Sequence, residues 1–207
     1  MKIIGFTGKK GVGKNFVADL VAEVIRTNTV AARVEMAALA DPIKEFGVFA
    51  LGLDRDILYG NDDAKNAPTE YRWENMPTWL WEKVGKPSGF ITHRQAAQII
   101  GTELGRDIWD KNIWVKAMKR RIDRSYADYV LITDCRFPNE VDAVRSWGGE
   151  VWKIDGPRAV VGSDKHASEN SLGSNIQYDA VIINGMEDTR ETLKNKIEHA
   201  LELQKAH

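Results

Sequence analysis

The sequence predicts an α/β protein in which five strands of a parallel sheet alternate with helices. Short apolar runs at residues 3–6, 34–38, 129–133, 150–154 and 180–183 each have the length of a strand, and helical patterns stand between them. The run at 129–133 is apolar almost without interruption, which is typical of strands buried on both faces of a parallel sheet. A glycine-rich loop joins the first strand to the first helix.

Length, charge and cysteine content limit the classes of protein to which the chain can belong. Its 207 residues suit one α/β domain with a small insertion. The 29 basic and 30 acidic residues nearly cancel, so composition does not favour a polynucleotide partner. Cys135 is the only cysteine, which excludes an internal disulfide and fits a reducing compartment. Because we find neither a signal-peptide pattern nor an apolar run of about 20 residues, we expect a soluble, cytoplasmic protein.

The loop after the first strand has the spacing G-x-x-x-x-G-K, which is typical of loops that bind phosphate. Its glycines let several backbone N–H groups point at one centre, and the following helix adds its positive end. Lys14 would supply a charge to the β- and γ-phosphates of a nucleotide, whereas an ordinary glycine-rich turn gives it no purpose. Asn15 stands where most such loops place a Ser or Thr that binds Mg²⁺. The predicted phosphate contacts are Gly8, Lys9, Lys10, Gly11, Val12, Gly13, Lys14 and Asn15.

Helical spacing of apolar residues from 14 to 26 predicts the first helix, and alternation at 34–38 predicts the second strand. We expect the next helix to begin with Asp41 as its N-cap and Pro42 as its first residue. Lys44, one turn into that helix, follows the carboxyl end of a strand, where parallel sheets bind ligands. The alternative is a solvated lysine.

Residues 54–92 are the least regular part of the chain, and they contain Trp73, Trp79 and Trp81. A segment of this length and composition indicates a functional insertion. The tryptophans suit a small satellite core better than stacking on a base. A helix is expected to open at Thr92, with its apolar face formed by Ala96, Ala97, Ile100 and Leu104.

Asn112 is a candidate cap for a further helix with one apolar and one basic face. We expect the basic face to be solvated. Its residues are Lys116, Lys119, Arg120 and Arg124, and those of the apolar face are Ile113, Trp114, Ala117, Met118 and Ile122.

Asp134 and Arg136 directly follow the third strand of the predicted sheet. An acid at this point can hold Mg²⁺ in a nucleotide kinase, and an arginine two residues later can bind a phosphate with two hydrogen bonds. The alternative is that Asp134 caps a turn and pairs with Arg136. The phosphate loop favours the ligand roles.

The rest of the chain predicts a helix at 141–147 ended by two glycines, a fourth strand, a polar stretch, a fifth strand and a closing helix. The polar stretch has the composition of a lid over phosphates, with Arg158, Lys165 and His166 as charge-stabilising candidates. No second His or Cys stands at ligand spacing from His166, so zinc is not expected.

Several motifs appear in one order: the phosphate loop, D-P-I-K, G-T-E-L-G-R, D-C-R-F-P-N-E, D-K-H-A-S-E and I-I-N-G. In this order they resemble the phage-type deoxynucleoside monophosphate kinase family. The resemblance covers residues 1–53 and 92–203. It implies a three-layer phosphate-loop kinase fold, a five-stranded parallel sheet with helices on both faces. Residues 1–207 would form one domain with a substrate-binding insertion at 41–126 and a lid at 156–175.

The resemblance also implies transfer of the γ-phosphoryl of ATP to a deoxynucleoside 5′-monophosphate, with Mg²⁺ as cofactor. It points to a homodimer in the cytoplasm, that of the host for a phage-encoded protein, and to no polynucleotide or membrane partner. Asn184 joins the loop residues at the nucleotide site, and Asp134 and Asn15 serve the metal. The catalytic residues are Lys14, Asp134, Arg136 and Arg158. Those of the substrate are Lys44, Arg94, Arg106, Arg136, Asp164, His166 and Glu169.

Two other functions fit the same loop. One is a kinase of another phosphorylated acceptor, such as dephospho-coenzyme A or phosphomevalonate. The other is a nucleotide-binding module without catalysis, for which Asn15 is the best argument.

Overall fold

The computed structural model describes residues 1–157 and 176–203, where strands and helices alternate as predicted. The strands are β1 (Lys2–Thr7), β2 (Val34–Ala37), β3 (Pro68–Arg72), β4 (Phe90–Thr92), β5 (Tyr129–Ile132), β6 (Glu150–Asp155) and β7 (Ala180–Ile183). The α-helices are α1 (Lys14–Asn28), α2 (Asp41–Leu51), α3 (Arg55–Tyr59), α4 (Thr78–Lys83), α5 (His93–Ile99), α6 (Ile113–Asp123), α7 (Pro138–Ser146) and α8 (Arg190–Leu203). A π-helical segment, Ile100–Trp109, continues α5.

The chain divides into two compact units. Residues 1–39 and the described residues from 120 onward form the first unit, which contains the large sheet. Residues 40–119 form the second unit. No helix in the described part of the chain is both long enough and apolar enough to span a membrane.

The sheet of the first unit has the strand order β2-β5-β1-β6-β7, and every neighbouring pair is parallel. The prediction of a five-stranded parallel sheet is therefore confirmed. Because parallel strands place their carboxyl ends at one edge, the segments that follow β1, β5, β6 and β7 meet there.

Helices cover both faces of this sheet. On one face, Phe6 and Trp152 meet edge to face, with ring centroids 6.0 Å apart, in a core shared with buried residues of α1 and α8. On the other face, a Cβ on Gly5 would lie 3.2 Å from Val144 of α7 and 2.9 Å from the Sγ of Cys135. The three-layer arrangement is thus the observed one.

The second unit has a hydrophobic core of its own, which the irregular sequence of residues 54–92 did not predict in detail. The strands β3 and β4 pair as an antiparallel hairpin. Trp73 is buried in the core, and Trp81 packs at its edge while its Nε1 donates to the carbonyl of Pro87 at 2.7 Å. Trp79 is exposed. Two of the three tryptophans therefore belong to the satellite core.

Two local predictions were wrong. Leu104 is exposed, because backbone hydrogen bonds from residue i to i+5 shift the buried face within the π-helical segment. Gly105 takes the buried place five residues after Ile100, and its carbonyl accepts the N–H of Asp110 at 2.9 Å. The helix α2 begins at Asp41 rather than after it, because the preceding Ala40 already has helical backbone angles.

Candidate functional site

The phosphate loop lies between the end of β1 and the start of α1, as its spacing predicted. Two of its glycines are required by the backbone. Gly8 has φ +146°, and a Cβ there would lie 2.2 Å from the carbonyl oxygen of Ile154. Gly13 caps α1 in a left-handed conformation, with φ +85°. The strand β6 leaves no room for a Cβ at Gly8, and the positive φ of Gly13 disfavours residues other than glycine.

The ammonium group of Lys14 lies against the backbone of the same loop. Its Nζ donates to the carbonyl oxygens of Gly8 and Lys9, both at 2.8 Å. The side chain of Val12 is buried in the hydrophobic core that includes residues of α1 and α8. The loop therefore carries a fixed positive charge next to the positive end of α1, which is an arrangement suited to an anion.

The remaining predicted loop residues differ in exposure. Lys9, Gly11 and Asn15 are exposed, whereas Lys10 is half-buried. Asn15 stands in the first turn of α1, directly after Lys14.

The segment after β5 lies beside the end of β1. The N–H of Cys135 donates to the carbonyl of Phe6 at 3.0 Å. Phe6 stands two residues before Gly8, where the phosphate loop begins. Burial raises the pKa of the Cys135 thiol well above its usual range, which favours the neutral thiol over the thiolate. Its hydrogen bond brings Asp134 and Arg136 to the edge of the sheet that carries the phosphate loop.

Asp134 is half-buried, and its Oδ1 accepts the backbone N–H of Leu39 at 2.6 Å. This contact ties the segment after β2 to the segment after β5, so the alternative of a structural role for Asp134 has a physical basis. A carboxylate has about four acceptor positions, so the tie is compatible with a metal ion. Within the described residues no three metal-ligating side chains gather as a cage. One carboxylate with phosphates and water is a typical Mg²⁺ site, and Asp134 fits it.

Arg136 is exposed, and its backbone is held by the first turn of α7. The Oε2 of Glu140 accepts the N–H groups of Arg136 at 2.7 Å and Phe137 at 3.0 Å. Glu140 is only 2% exposed, so this cap is a buried one.

Asn184 reaches the phosphate loop from the end of β7. Its Nδ2 donates to the carbonyl of Val12 at 2.9 Å, and the residue is buried. The first unit thus brings together Lys14, Asp134, Arg136 and Asn184 at one edge of the sheet.

The three substrate residues predicted before β5 belong to the second unit, where each has its own partners. Lys44 lies 3.9 Å from Asp41 and 4.2 Å from the centroid of the Tyr59 ring. Arg94 donates to the Asp62 carbonyl at 2.9 Å and also pairs with its carboxylate and with Asn66. Arg106 donates to the carbonyl of Gly101 at 3.3 Å. The predictions for Arg158, Asp164, His166 and Glu169 fall outside the described residues.

Sequence reasoning missed the environment of the G-T-E-L-G-R motif. Its two glycines allow close packing: a Cβ on Gly101 would lie 3.0 Å from Ile43, and one on Gly105 would lie 2.6 Å from Trp114. The Nε1 of Trp114 also donates to the carbonyl of Gly101 at 2.8 Å. Glu103 between them is buried, and its Oε2 has no hydrogen-bond partner within the described chain.

The sequence comparisons with known proteins give consistent matches. The family model described as deoxynucleotide monophosphate kinase matches residues 82–197. A putative deoxynucleotide monophosphate kinase of Acanthamoeba polyphaga mimivirus is 29% identical over 198 residues, which is 89% of each chain. A deoxynucleoside-5′-monophosphate kinase of Escherichia phage T5 is 25% identical over 178 residues, 69% of this chain and 71% of the phage protein. Among solved structures, an unliganded sugar kinase from Janibacter sp. HTCC2649 aligns over the whole chain and 97% of its own, with a TM-score of 0.41 and 14% identity.

Proposed function

The chain belongs to the deoxynucleotide monophosphate kinase family, and from this membership we propose that it transfers the γ-phosphoryl group of ATP to a deoxynucleoside 5′-monophosphate. The products are ADP and the deoxynucleoside diphosphate. The single observation that supports this function best is the ammonium of Lys14, held at 2.8 Å from two carbonyls of a left-handed glycine loop. That loop lies at the edge of the sheet that also carries Asp134 and Arg136.

Phosphoryl transfer requires positioning and charge neutralisation more than covalent chemistry. Lys14 and the amides of the phosphate loop bind the β- and γ-phosphates of ATP. Asp134, with Asn15, would hold Mg²⁺, which supplies positive charge to the phosphate oxygens. Electrostatic groups of this kind each contribute about 3 kcal/mol to stabilising a transition state.

The acceptor phosphate is itself the nucleophile, so the reaction needs no strong general base. Arg136 binds this phosphate in our proposal, because a guanidinium matches its oxygens with two hydrogen bonds. Lys44, Arg94 and Arg106 are proposed as deoxynucleotide-binding residues of the second unit.

An acceptor panel tests the proposal. The purified protein is incubated with ATP, Mg²⁺ and one acceptor at a time, and both ADP and the phosphorylated acceptor are quantified by chromatography. We expect at least one of the four common deoxynucleoside monophosphates to give equal amounts of diphosphate and ADP. Phosphorylation of dephospho-coenzyme A or phosphomevalonate alone, or ATP binding without acceptor-dependent ADP, would overturn it.

Replacement of Lys14 tests the role of its charge. We expect Lys14→Ala to lower kcat/KM by about 10²- to 10³-fold, the effect of removing one preorganised group, while the melting temperature stays close to that of the wild type. The control is Lys2→Ala, which removes a lysine paired with Glu150 at the opposite end of β1. Equal activity in both variants would contradict the mechanism.

A further inference from the structure

Asn184 is held on two sides at the carboxyl edge of the sheet. Its backbone N–H donates to the carbonyl of Asp155 at 2.8 Å. Its own carbonyl oxygen lies 2.4 Å from the position that a Cβ on Gly156 would occupy, so the two backbones approach closely. The side-chain Nδ2 then donates to Val12 in the phosphate loop at 2.9 Å. With 3% of its surface exposed, Asn184 has little freedom to move.

The acceptor of this bond is the carbonyl of the peptide between Val12 and Gly13. In a trans peptide the C=O and the N–H point in opposite directions. Because Asn184 binds the C=O, the N–H of Gly13 faces away from Asn184. A Cβ on Gly13 would lie 2.6 Å from the Nδ2 of Asn184, so glycine also makes room for the carboxamide.

We propose that Asn184 is a positioning residue that locks the orientation of the Val12–Gly13 peptide and so presents the Gly13 N–H to a bound phosphate. This inference rests on the proposed kinase function. It specifies how the phosphate loop keeps a backbone N–H oriented for the nucleotide before the nucleotide binds. Asn184 acts through the loop and does not contact ATP.

This hydrogen bond is needed because the backbone of Gly13 can adopt more than one conformation. Glycine adopts φ values of either sign at similar cost, so the φ of +85° at Gly13 does not by itself prevent the peptide from rotating by about 180°. In the rotated form the carbonyl of Val12 would face the phosphate, and its negative end would repel the anion. Only the locked fraction of the protein would then bind ATP.

A loss of the lock has a kinetic signature. When a fraction of the protein is competent, the apparent dissociation constant rises by the inverse of that fraction. The KM for ATP should therefore rise, whereas kcat at saturating ATP and the KM for the deoxynucleotide should stay within about twofold of wild type.

The test compares Asn184→Ala and Asn184→Asp with the wild type. The aspartate has the same shape but, when ionised, cannot donate and repels the Val12 carbonyl. We expect the KM for ATP to rise about tenfold in the alanine variant and further in the aspartate variant, because a repelled carbonyl leaves less locked protein. The control is Asp179→Ala, which removes a side-chain bond to Val151 at the amino end of the same strand. It should lower the melting temperature without changing the KM for ATP.

Other outcomes would overturn the inference. An aspartate variant with the wild-type KM for ATP would mean that shape alone matters, and a fall in kcat at unchanged KM would mean direct contact with the reacting groups. Calorimetric binding of ADP to each variant keeps the test independent of the acceptor. If the wild type bound ADP but phosphorylated no deoxynucleotide, the proposed function would fail, and the ranking of ADP affinities would still decide the role of Asn184.

Discussion

Glu103 and Glu140 are two buried glutamates with opposite hydrogen bonding. Glu140 is 2% exposed and accepts two backbone N–H groups. Glu103 is 8% exposed, and its Oε2 has no hydrogen-bond partner among the described residues. A buried carboxylate oxygen costs more free energy when it has no hydrogen bond than when it accepts one. The two residues should therefore contribute to stability with opposite sign.

This contrast gives a prediction for two matched variants. Glu103→Met replaces an acid that has one unbonded carboxylate oxygen by an apolar side chain of similar volume, and we expect the free energy of unfolding to rise by about 1–2 kcal/mol. Glu140→Met leaves the N–H groups of Arg136 and Phe137 without their acceptor, and we expect a loss of about 2 kcal/mol. Urea unfolding of both variants measures the difference. Similar destabilisation in the two would show that Glu103 is satisfied in solution.

At the residue scale, spacing predicted the phosphate loop because its chemistry is local: the glycines and Lys14 lie within seven positions. The partner of Asn184 was not predictable, since Val12 is 172 residues away and is reached only through the strand order. The burial of Glu103 was missed for another reason. It depends on the π-helical turn, which shifts the phase of the helix and leaves no mark in the apolar spacing.

At the scale of elements, the edge strand β2 is short, and an ion pair fixes its start against β5. The guanidinium of Arg33 donates to both carboxylate oxygens of Asp128, at 3.1 and 3.2 Å. The N–H of Arg33 donates to the same carboxylate at 2.9 Å, and the register continues with Val34 opposite Tyr129. These hydrogen bonds lower the pKa of Asp128 to about 2. The bonds from the Arg33 side chain have the larger effect, and the bond from its backbone N–H has the smaller one.

The lowered pKa predicts a pH-dependent contribution to stability. The carboxyl has an ordinary pKa of 3.8 and a folded one of about 2, so its contribution is complete above pH 3.8 and disappears as the pH falls towards 2. We expect Asp128→Asn to be less stable than the wild type at pH 6 and to approach it at low pH. Urea unfolding at several pH values gives this difference. In an Arg33→Gln background the pH dependence should shrink, and a pH-independent difference would contradict the assignment.

The buried elements of the first unit were predictable because their apolar patterns are strong, and the start of α5 was correctly predicted at Thr92, which is the N-cap of that helix. The hairpin of β3 and β4 was not. The strand β3 has the largely polar sequence P-T-E-Y-R, and β4 has only the three residues F-I-T, so neither forms an apolar run like those of β5 and β7. Their pairing depends on contacts within the second unit. Apolar composition predicted the core around Trp73, but composition does not determine which segments pair.

At the scale of the whole molecule, 29 basic and 30 acidic residues leave a net charge of −1. Positive groups for phosphate must therefore act locally. Lys14 is held by its own loop, and Arg94 is paired with Asp62. A protein that binds nucleic acid without sequence preference instead neutralises several phosphates at once through a continuous basic surface.

This difference predicts that polynucleotides do not compete with the mononucleotide substrate. At about 0.15 M salt we expect no inhibition of kinase activity by about 10 μM of a single-stranded oligodeoxynucleotide, since this concentration inhibits only where several phosphates are neutralised together. An unlabelled deoxynucleoside monophosphate of the preferred type serves as the positive control in the same assay. The oligonucleotide could instead inhibit the kinase, with an inhibition that weakens steeply as salt is raised. That result would reveal a basic surface despite the near-neutral net charge. It would contradict local recognition of a single phosphate group.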